Sequence, residues 1–483
     1  MKKRRFLGGI LTSLLFTAAG LGQVTVVGTD TYPADVANVQ AAVATNATIY
    51  LSGTFNFGAD GSVLINVPNV TFEGVSTGAL IKGGTNPIST DNGSPVSLAK
   101  NVTIRNIHFI GWNESAVVIK GVQAEDNHTL IEGNKFDNTT TPADPLYKAG
   151  ILYRQCAGSA EIRNNTLNDF TYEAIWAVEL SLHMNDRLLV EGNEIINCTS
   201  GGISVGIWDP AKGVDQDNGP VIIRNNEINI NWTFCWGIDL GGDFATGVSN
   251  AVIEGNVITG YGDAGILGWS YGHHRKIINN DLSALTTLEA NILDCGRGDL
   301  IAGNVLGTTD PETAASVLGY SFTSTGIWLA AANPAALFGL NLPEPLPVTN
   351  NILMGNDYRR SGFKGWATDA SGKAASFGCV LLVSWADLVA LPPWQGAEIT
   401  NNLVMEVGLF PRGTGGPKQQ ILEFPVYAHG NRIIGHAANE YAQLEASNPG
   451  IGQKIKESGA KLIEMLQSKQ AFIKQFMKEA EEH

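Results

Sequence analysis

A short pattern, a small residue followed by isoleucine and an apolar run, recurs with its isoleucine at Ile203, Ile238, Ile266 and Ile292. Counting five residues on from each reaches Trp208, Asp243, Tyr271 and Arg297, with Asp209 just beyond the first, Asp239 directly after Ile238, and His273 and His274 just beyond Tyr271. If each pattern is one strand of a stacked parallel sheet, four successive layers present an aromatic, an acid, an aromatic and a base in one column, about 14 Å long at ordinary strand spacing. Trp176, Trp269, Trp328 and Trp385 add aromatic faces on the same strand series. A column of this kind suits a few sugar rings, with Trp208, Trp269, Tyr271 and Trp328 as stacking faces and Asp239 as a polar contact.

Two chemistries fit these residue types. In glycoside hydrolysis one carboxylic acid protonates the leaving oxygen while a second carboxylate activates water or attacks, at separations of about 6.5–9.5 Å or about 5–5.5 Å respectively. Asp209 and Asp243, on adjacent layers, are the candidate pair, and Asp239 is a third. In elimination from an acidic sugar a base removes the proton beside the carboxylate, and positive charge or a metal steadies the anion. Arg297, His273 or His274 can serve there, and Asp209 with Asp243 can hold Ca2+ through oxygen ligands. The candidate catalytic set is therefore Asp209, Asp243, Arg297 and His273. A plainer reading stands beside it: the Asp-Gly run from Asp239 to Asp243 makes turns, the tryptophans pack against loops, and His273-His274-Arg275-Lys276 is a solvated bend. On that reading the face holds a glycan without catalysis, as a surface or adhesion module, or holds nothing.

What must position these side chains is a repeat. The strings IEGNKF, IRNNTL, VEGNEI, IRNNEI, IEGNVI, INNDL and IAGNVL place Asn134, Asn165, Asn193, Asn226, Asn256, Asn280 and Asn304 at steps of 24 to 33 residues, and Asn351, Asn402 and Asn431 are assigned to the same column after longer gaps. Gly and Asn suit turns that need positive φ. Two or three short strands per repeat describe one coil of a solenoid. The residue before each turn reads Glu73, Arg105, Glu132, Arg163, Glu191, Arg224, Glu254, a strict alternation of sign. Stacked coils would set each charge opposite its counter-charge, each pair contributing roughly 0.2–1 kcal/mol. The Asn column reads as an amide stack.

These repeats, with the stretch DVANVQAAVATNATIYLSGTFNF, resemble the right-handed parallel β-helix proteins of the pectin-lyase-like superfamily, over roughly residues 24 to 440. The resemblance implies an all-β fold, a single-stranded right-handed parallel β-helix solenoid of about 11–12 coils with an N-terminal cap helix. Residues 23–60 form the cap and first strands, and 61–440 the solenoid, with long loops between 305 and 430. From 450 to 483 the apolar residues take helical spacing, giving a C-terminal amphipathic helix that covers the open edge or docks a partner. The same coil carries lyases, hydrolases, epimerases, tail spikes and adhesins, so the resemblance speaks for fold.

Composition narrows the partners. Gly is 56 of 483 residues and charged residues are 16%, which excludes a coiled coil or a charged helical bundle. A formal charge of −15 offers no basic face for nucleic acid. Residues 1–22 carry Lys2, Lys3, Arg4 and Arg5, then an apolar run, then small residues, the layout of a bacterial secretory signal peptide. The expectation is a secreted, periplasmic or cell-surface protein with no stable membrane span after removal of the leader. Loss of those four cations takes the formal charge from −15 to −19. Cys156, Cys198, Cys235, Cys295 and Cys379 lack metal-ligand spacing and read as buried thiols.

Overall fold

A computed structural model describes residues 22–138, 149–207, 217–232, 235–241, 247–268, 272–288, 290–310, 313, 324–331, 348–358, 378–384, 399–405, 420–423, 428–429 and 431–433. Residues 1–21 of the segment read as an export leader, and the C-terminal segment read as an amphipathic helix, lie outside these residues. Each coil supplies two short strands split by a sharp corner, then one longer strand. Thr103–Arg105, His108–Ile110 and Ser115–Lys120 make one such coil, and His128–Glu132, Lys135–Asp137 and Ala149–Arg154 the next. The short strands join a sheet of 22 strands (sheet A), and the longer ones a sheet of 12 (sheet B). Neighbouring strands pair in parallel, coil upon coil. The chain is thus an all-β parallel β-helix.

Isoleucine at one position per coil makes the spine of the core. Ile151, Ile175, Ile203, Ile238, Ile266, Ile292 and Ile327 are in register on sheet B and fully buried. A side chain of this size contributes about 1.5–3 kcal/mol when buried, and branching at Cβ favours the extended backbone. At the N-terminal end, helix Ala34–Ala42 buries Val39 and Ala42 against the first coil. Asp35 in its first turn accepts hydrogen bonds from the backbone of Thr29, Thr31 and Asn56. The cap helix is therefore where the sequence places it.

The sharp corner of sheet A explains the Gly/Asn turn. Its first residue alternates strictly from coil to coil: Asn106, Gly133, Asn164, Gly192, Asn225, Gly255, Asn279 and Gly303, all with φ between 54° and 66°. A Cβ at Gly133 would lie 2.8 Å from Asn106 Oδ1, and one at Gly255 2.8 Å from Asn225 Oδ1. Each asparagine amide thus occupies the space that the glycine of the next coil leaves open. Its second residue is the amide stack. Nδ2 of Asn134, Asn165, Asn193, Asn226, Asn256, Asn280 and Asn304 each donates to Oδ1 of the next member at 2.8–3.1 Å.

The member after Asn304 is Asn356, which corrects the assignment of Asn351 to this column. Strand Ile352–Met354 pairs with Leu300–Ala302, so Asn351 precedes the strand that Asn356 follows. Asn351, Asn402 and Asn431 form a second amide row at the opposite corner, Asn351 N donating to Asn402 Oδ1 and Asn402 N to Asn431 Oδ1, each at 2.9 Å. Asn350-Asn351 before this three-residue strand and Gly355-Asn356 after it make the two corners alike in sequence.

The charge ladder is in register from Glu73 to Glu254. Arg105 meets Glu73 at 2.7 Å, Arg163 meets Glu132 at 2.9 Å, and Arg224 meets Glu191 at 2.7 Å. Arg163 also reaches Glu161 at 3.2 Å. These groups are partly exposed, so solvent screens them. Arg163→Glu is expected to destabilise by about 1–2 kcal/mol, combining lost pairs with new like-charge contacts. Denaturant melts at low salt and in 1 M salt check it, and most of the loss should disappear in high salt.

Candidate functional site

Residues next to the buried isoleucines on sheet B point to the opposite face, since successive side chains alternate. In register they read Leu152, Trp176, Ser204, Asp239, Leu267, Leu293 and Trp328. Trp176 packs with Tyr172, Val178 and Leu152 in a cluster separate from the core, its ring 5.1 Å from that of Tyr172. Asp239 and Trp328 stand in this one column, three coils and about 14 Å apart. Asp239 is only 4% exposed and Trp328 is fully buried, so at these two positions the column is covered rather than an open trough. Ser204, the strand neighbour of Asp239, is also buried, and its Oγ lacks a hydrogen-bond partner among the described residues.

The other two described candidates meet at the turn leaving sheet B. His273 and Arg297 are backbone-paired on adjacent coils. Gly268 pairs with Asp294 on the preceding strands, so the chain takes five residues to reach His273 but three to reach Arg297. Counting equal steps from the isoleucines therefore fails here, and His273 holds the place opposite Arg297 that the count gives to Tyr271. The turn is tied by Arg297 N to Gly272 O at 3.0 Å, His274 N to Arg297 O at 2.9 Å, and Asn250 N to His273 O at 2.9 Å.

Two imidazoles and a carboxylate follow from that backbone. His274 takes φ 57°, which turns its ring back onto His273, and the two Nδ1 atoms are 2.9 Å apart. His273 Nε2 lies 3.5 Å from Asp217 Oδ1. Between two neutral rings, one Nδ1 must donate and the other accept. A proton on His273 Nε2 faces the Asp217 carboxylate favourably, which makes His273 Nδ1 the acceptor and His274 Nδ1 the donor. The remaining nitrogen, His274 Nε2, is then a lone-pair base on an exposed residue. The tautomers are assigned from this hydrogen-bonding logic. Asp217 is a member that sequence spacing missed, because it reaches the site from the turn two coils back, past the turn of Ser249 and Asn250.

Arg275, read as part of a solvated bend, is instead fully buried. Its Nη1 donates to Asp294 Oδ1 at 2.8 Å and to Gly268 O at 3.2 Å, and its Nε donates to Val248 O at 2.9 Å. Arg275 N donates to Asp299 Oδ1 and Asp299 N to Asn351 Oδ1, both at 2.7 Å. Arg275 and Asp299 thus continue the second amide row on the two preceding coils. Gly268 and Gly296 make room: a Cβ at Gly268 would lie 2.6 Å from Arg275 Nη1, and one at Gly296 would collide with Asp299 Oδ2. Burial first, and then the neighbouring Asp294 charge, push the Asp299 carboxyl well above the ordinary carboxylate range, against the pull of Arg275. The site is sealed from solvent and holds the turn that carries His273 and His274.

Trp208, Asp209, Asp243, Trp269, Tyr271 and Trp385 lie outside the described residues, and so does the Asp209/Asp243 pair read as Ca2+ ligands. Among the described residues no three His, Cys, Asp or Glu side chains gather as a metal site. Cys156, Cys198, Cys235 and Cys295 are buried free thiols. Burial is the main cause that raises Cys156 to about 12 and pushes Cys295 well above the ordinary thiol range.

The family model for the right-handed β-helix region matches residues 36–282, just over half of the chain. The chain belongs to the right-handed β-helix family. No curated protein matches this β-helix in sequence. Among solved structures it is similar to the A-module of a mannuronan C-5 epimerase from Azotobacter vinelandii, at 12% identity over 84% of this chain and 94% of that one, with a TM-score of 0.42. An alginate lyase in complex with a trisaccharide matches at 13% identity over 88% and 96%, with a TM-score of 0.42. A tailspike protein of an E. coli bacteriophage, in complex with a pentasaccharide, matches at 16% over 80% and 63%, with a TM-score of 0.40. No described helix of this β-helix protein is long and apolar enough to cross a membrane.

Proposed function

We propose that this β-helix is an exported protein that acts on a polysaccharide, with its chemistry at the turn where sheet B hands over to sheet A. The observation that carries the reading is the His273–His274 pair backed by Asp217, with Arg297 on the adjacent coil. It supports elimination from an acidic sugar. His274 Nε2 takes the proton beside the sugar carboxylate, His273 and Asp217 fix its tautomer, and Arg297 steadies the anion that forms. Asp209 and Asp243, with Asp239 as a third acid, belong to the hydrolytic version, in which their separation sets the stereochemistry. Trp208, Trp269 and Tyr271 are the stacking faces of the same proposal. The leader in residues 1–22 supports export to the periplasm, the cell surface or the medium.

The test is incubation of the mature protein with alginate, polygalacturonate and a set of neutral glycans. Rising absorbance from an unsaturated product identifies a lyase, and new reducing ends without it a hydrolase. His274→Ala and His273→Ala should each lower lyase turnover by about 10²–10⁴-fold, the usual contribution of a positioned base. Unchanged turnover in both variants would remove these histidines from the chemistry. A non-catalytic glycan-binding or adhesion module is the second reading. The burial of Asp239 and Trp328 favours it, since the acid and the indole read as groove lining are covered. Silence across the whole panel, with binding retained, would select that reading.

A further inference from the structure

At a different corner, where the second short strand of a coil turns toward sheet B, the solenoid exposes a tryptophan. Trp232 is 51% exposed, whereas Trp112, Trp176, Trp236 and Trp328 are all buried. Its position is set by the ladder: Asn231 pairs with Tyr261, and Trp232 N donates to Tyr261 O at 3.0 Å. Beside it runs a polar row, one member per coil, in which Asn231 Nδ2 donates to Asn197 Oδ1 at 2.9 Å and Asn197 Nδ2 to Asp169 Oδ1 at 2.6 Å. The row spans about 10 Å at strand spacing, room for two sugar rings.

An aromatic face fixed next to a row of amide donors and acceptors suits a ring that is apolar on one side and hydroxylated at its edge. Local charge decides which sugar. Glu194 and Glu227 are register partners on the strands that lead into Asn197 and Asn231, and both are exposed without an ion-pair partner among the described residues. With Asp169 they set three carboxylates on the outer face of these strands, the two glutamates about 10–13 Å from the row, and these repel an anionic polymer. We infer that Trp232, with the Asp169–Asn197–Asn231 row, is a stacking subsite for a neutral saccharide, separate from the histidine turn. The inference deepens the glycan reading above and rests on it.

The test is calorimetric titration of the mature protein with maltohexaose, cellohexaose and a mannuronate hexamer, each against wild type, Trp232→Ala and Trp232→Phe. At least one neutral hexasaccharide should bind wild type, weaken at least tenfold in Trp232→Ala and stay within a few-fold in Trp232→Phe. The half-exposed position should leave the melting temperature unchanged. Neutral binding that Trp232→Ala leaves intact overturns the subsite while the glycan reading stands. Mannuronate binding that the same variant weakens overturns the assignment to neutral sugars. Binding of no hexasaccharide by wild type overturns the subsite, and only the turnover panel then decides the glycan reading.

Discussion

Asn226→Ala is expected to lower stability by about 3–6 kcal/mol, a loss far beyond the ordinary surface substitution. Asn226 is fully buried and its Nδ2 donates to Val190 O at 3.0 Å, Arg224 O at 3.1 Å and Asn256 Oδ1 at 2.9 Å. Its Oδ1 accepts from Asn193 N at 2.9 Å and from Asn193 Nδ2 at 3.0 Å. Alanine removes every one of these bonds: Asn193 N loses its acceptor, and Val190 O, Arg224 O and Asn256 Oδ1 each lose a donor, where a buried group left unpaired costs about 1–3 kcal/mol. Asn101 supplies the control. It makes a similar lateral bond, Nδ2 to Asn69 Oδ1 at 2.8 Å, but on the surface, where water replaces it. Asn101→Ala should therefore cost about 1–2 kcal/mol, most of it the strain of alanine at the φ of 52° that Asn101 adopts. Urea midpoints of the two variants at constant m check the pair, and equal losses would overturn the claim that burial gives the inner stack its weight.

That stack was legible from sequence because each coil spends two adjacent letters on one corner. The first must tolerate positive φ and the second must bond to the coils on both sides, so Gly or Asn followed by Asn is the only economical choice. The alternating Glu73-to-Glu254 ladder gave an independent register, since a slip of one coil would have set like charges together. The same logic failed at Asn351, where a second corner carries the same amide chemistry and only the strand between the two separates them. It failed again at the turns leaving sheet B. Spacing from Ile266 and Ile292 holds along the strands, where register is enforced by the core, and lapses where the turns differ in length by two residues. Arg275 was misread for the same reason: a cation in a Gly- and His-rich turn has the composition of a solvated bend, and the Asp294 and Asp299 that bury it lie on the following coil.

Arg275→Met should destabilise by about 3–5 kcal/mol, because it leaves the Asp294 carboxylate buried without its counter-charge. Part of that loss should return when Asp294→Leu is added, since a buried pair replaced on both sides by apolar groups is often close to neutral. Asp299 behaves in the opposite way. Burial, and then the Asp294 charge, hold its carboxyl well above the ordinary carboxylate range, so above about pH 4 the folded chain binds this proton more tightly than the unfolded chain does. Stability from this group is thus complete below about pH 4 and declines as pH rises toward the raised folded value, by up to about 1.4 kcal/mol per pH unit. Asp299→Asn keeps the oxygen that accepts from Arg275 N and carries no proton to lose. Measured from about pH 4 to about pH 8, the variant should match wild type at the acid end and exceed it as the pH rises. Parallel stability curves over that range would show that Asp299 is ionised in the folded protein. If the histidine turn performs the proposed elimination, Arg275→Met, which loosens the turn that carries His273 and His274, should also lower turnover at temperatures where the coil remains folded, whereas Asp299→Asn should leave it unchanged.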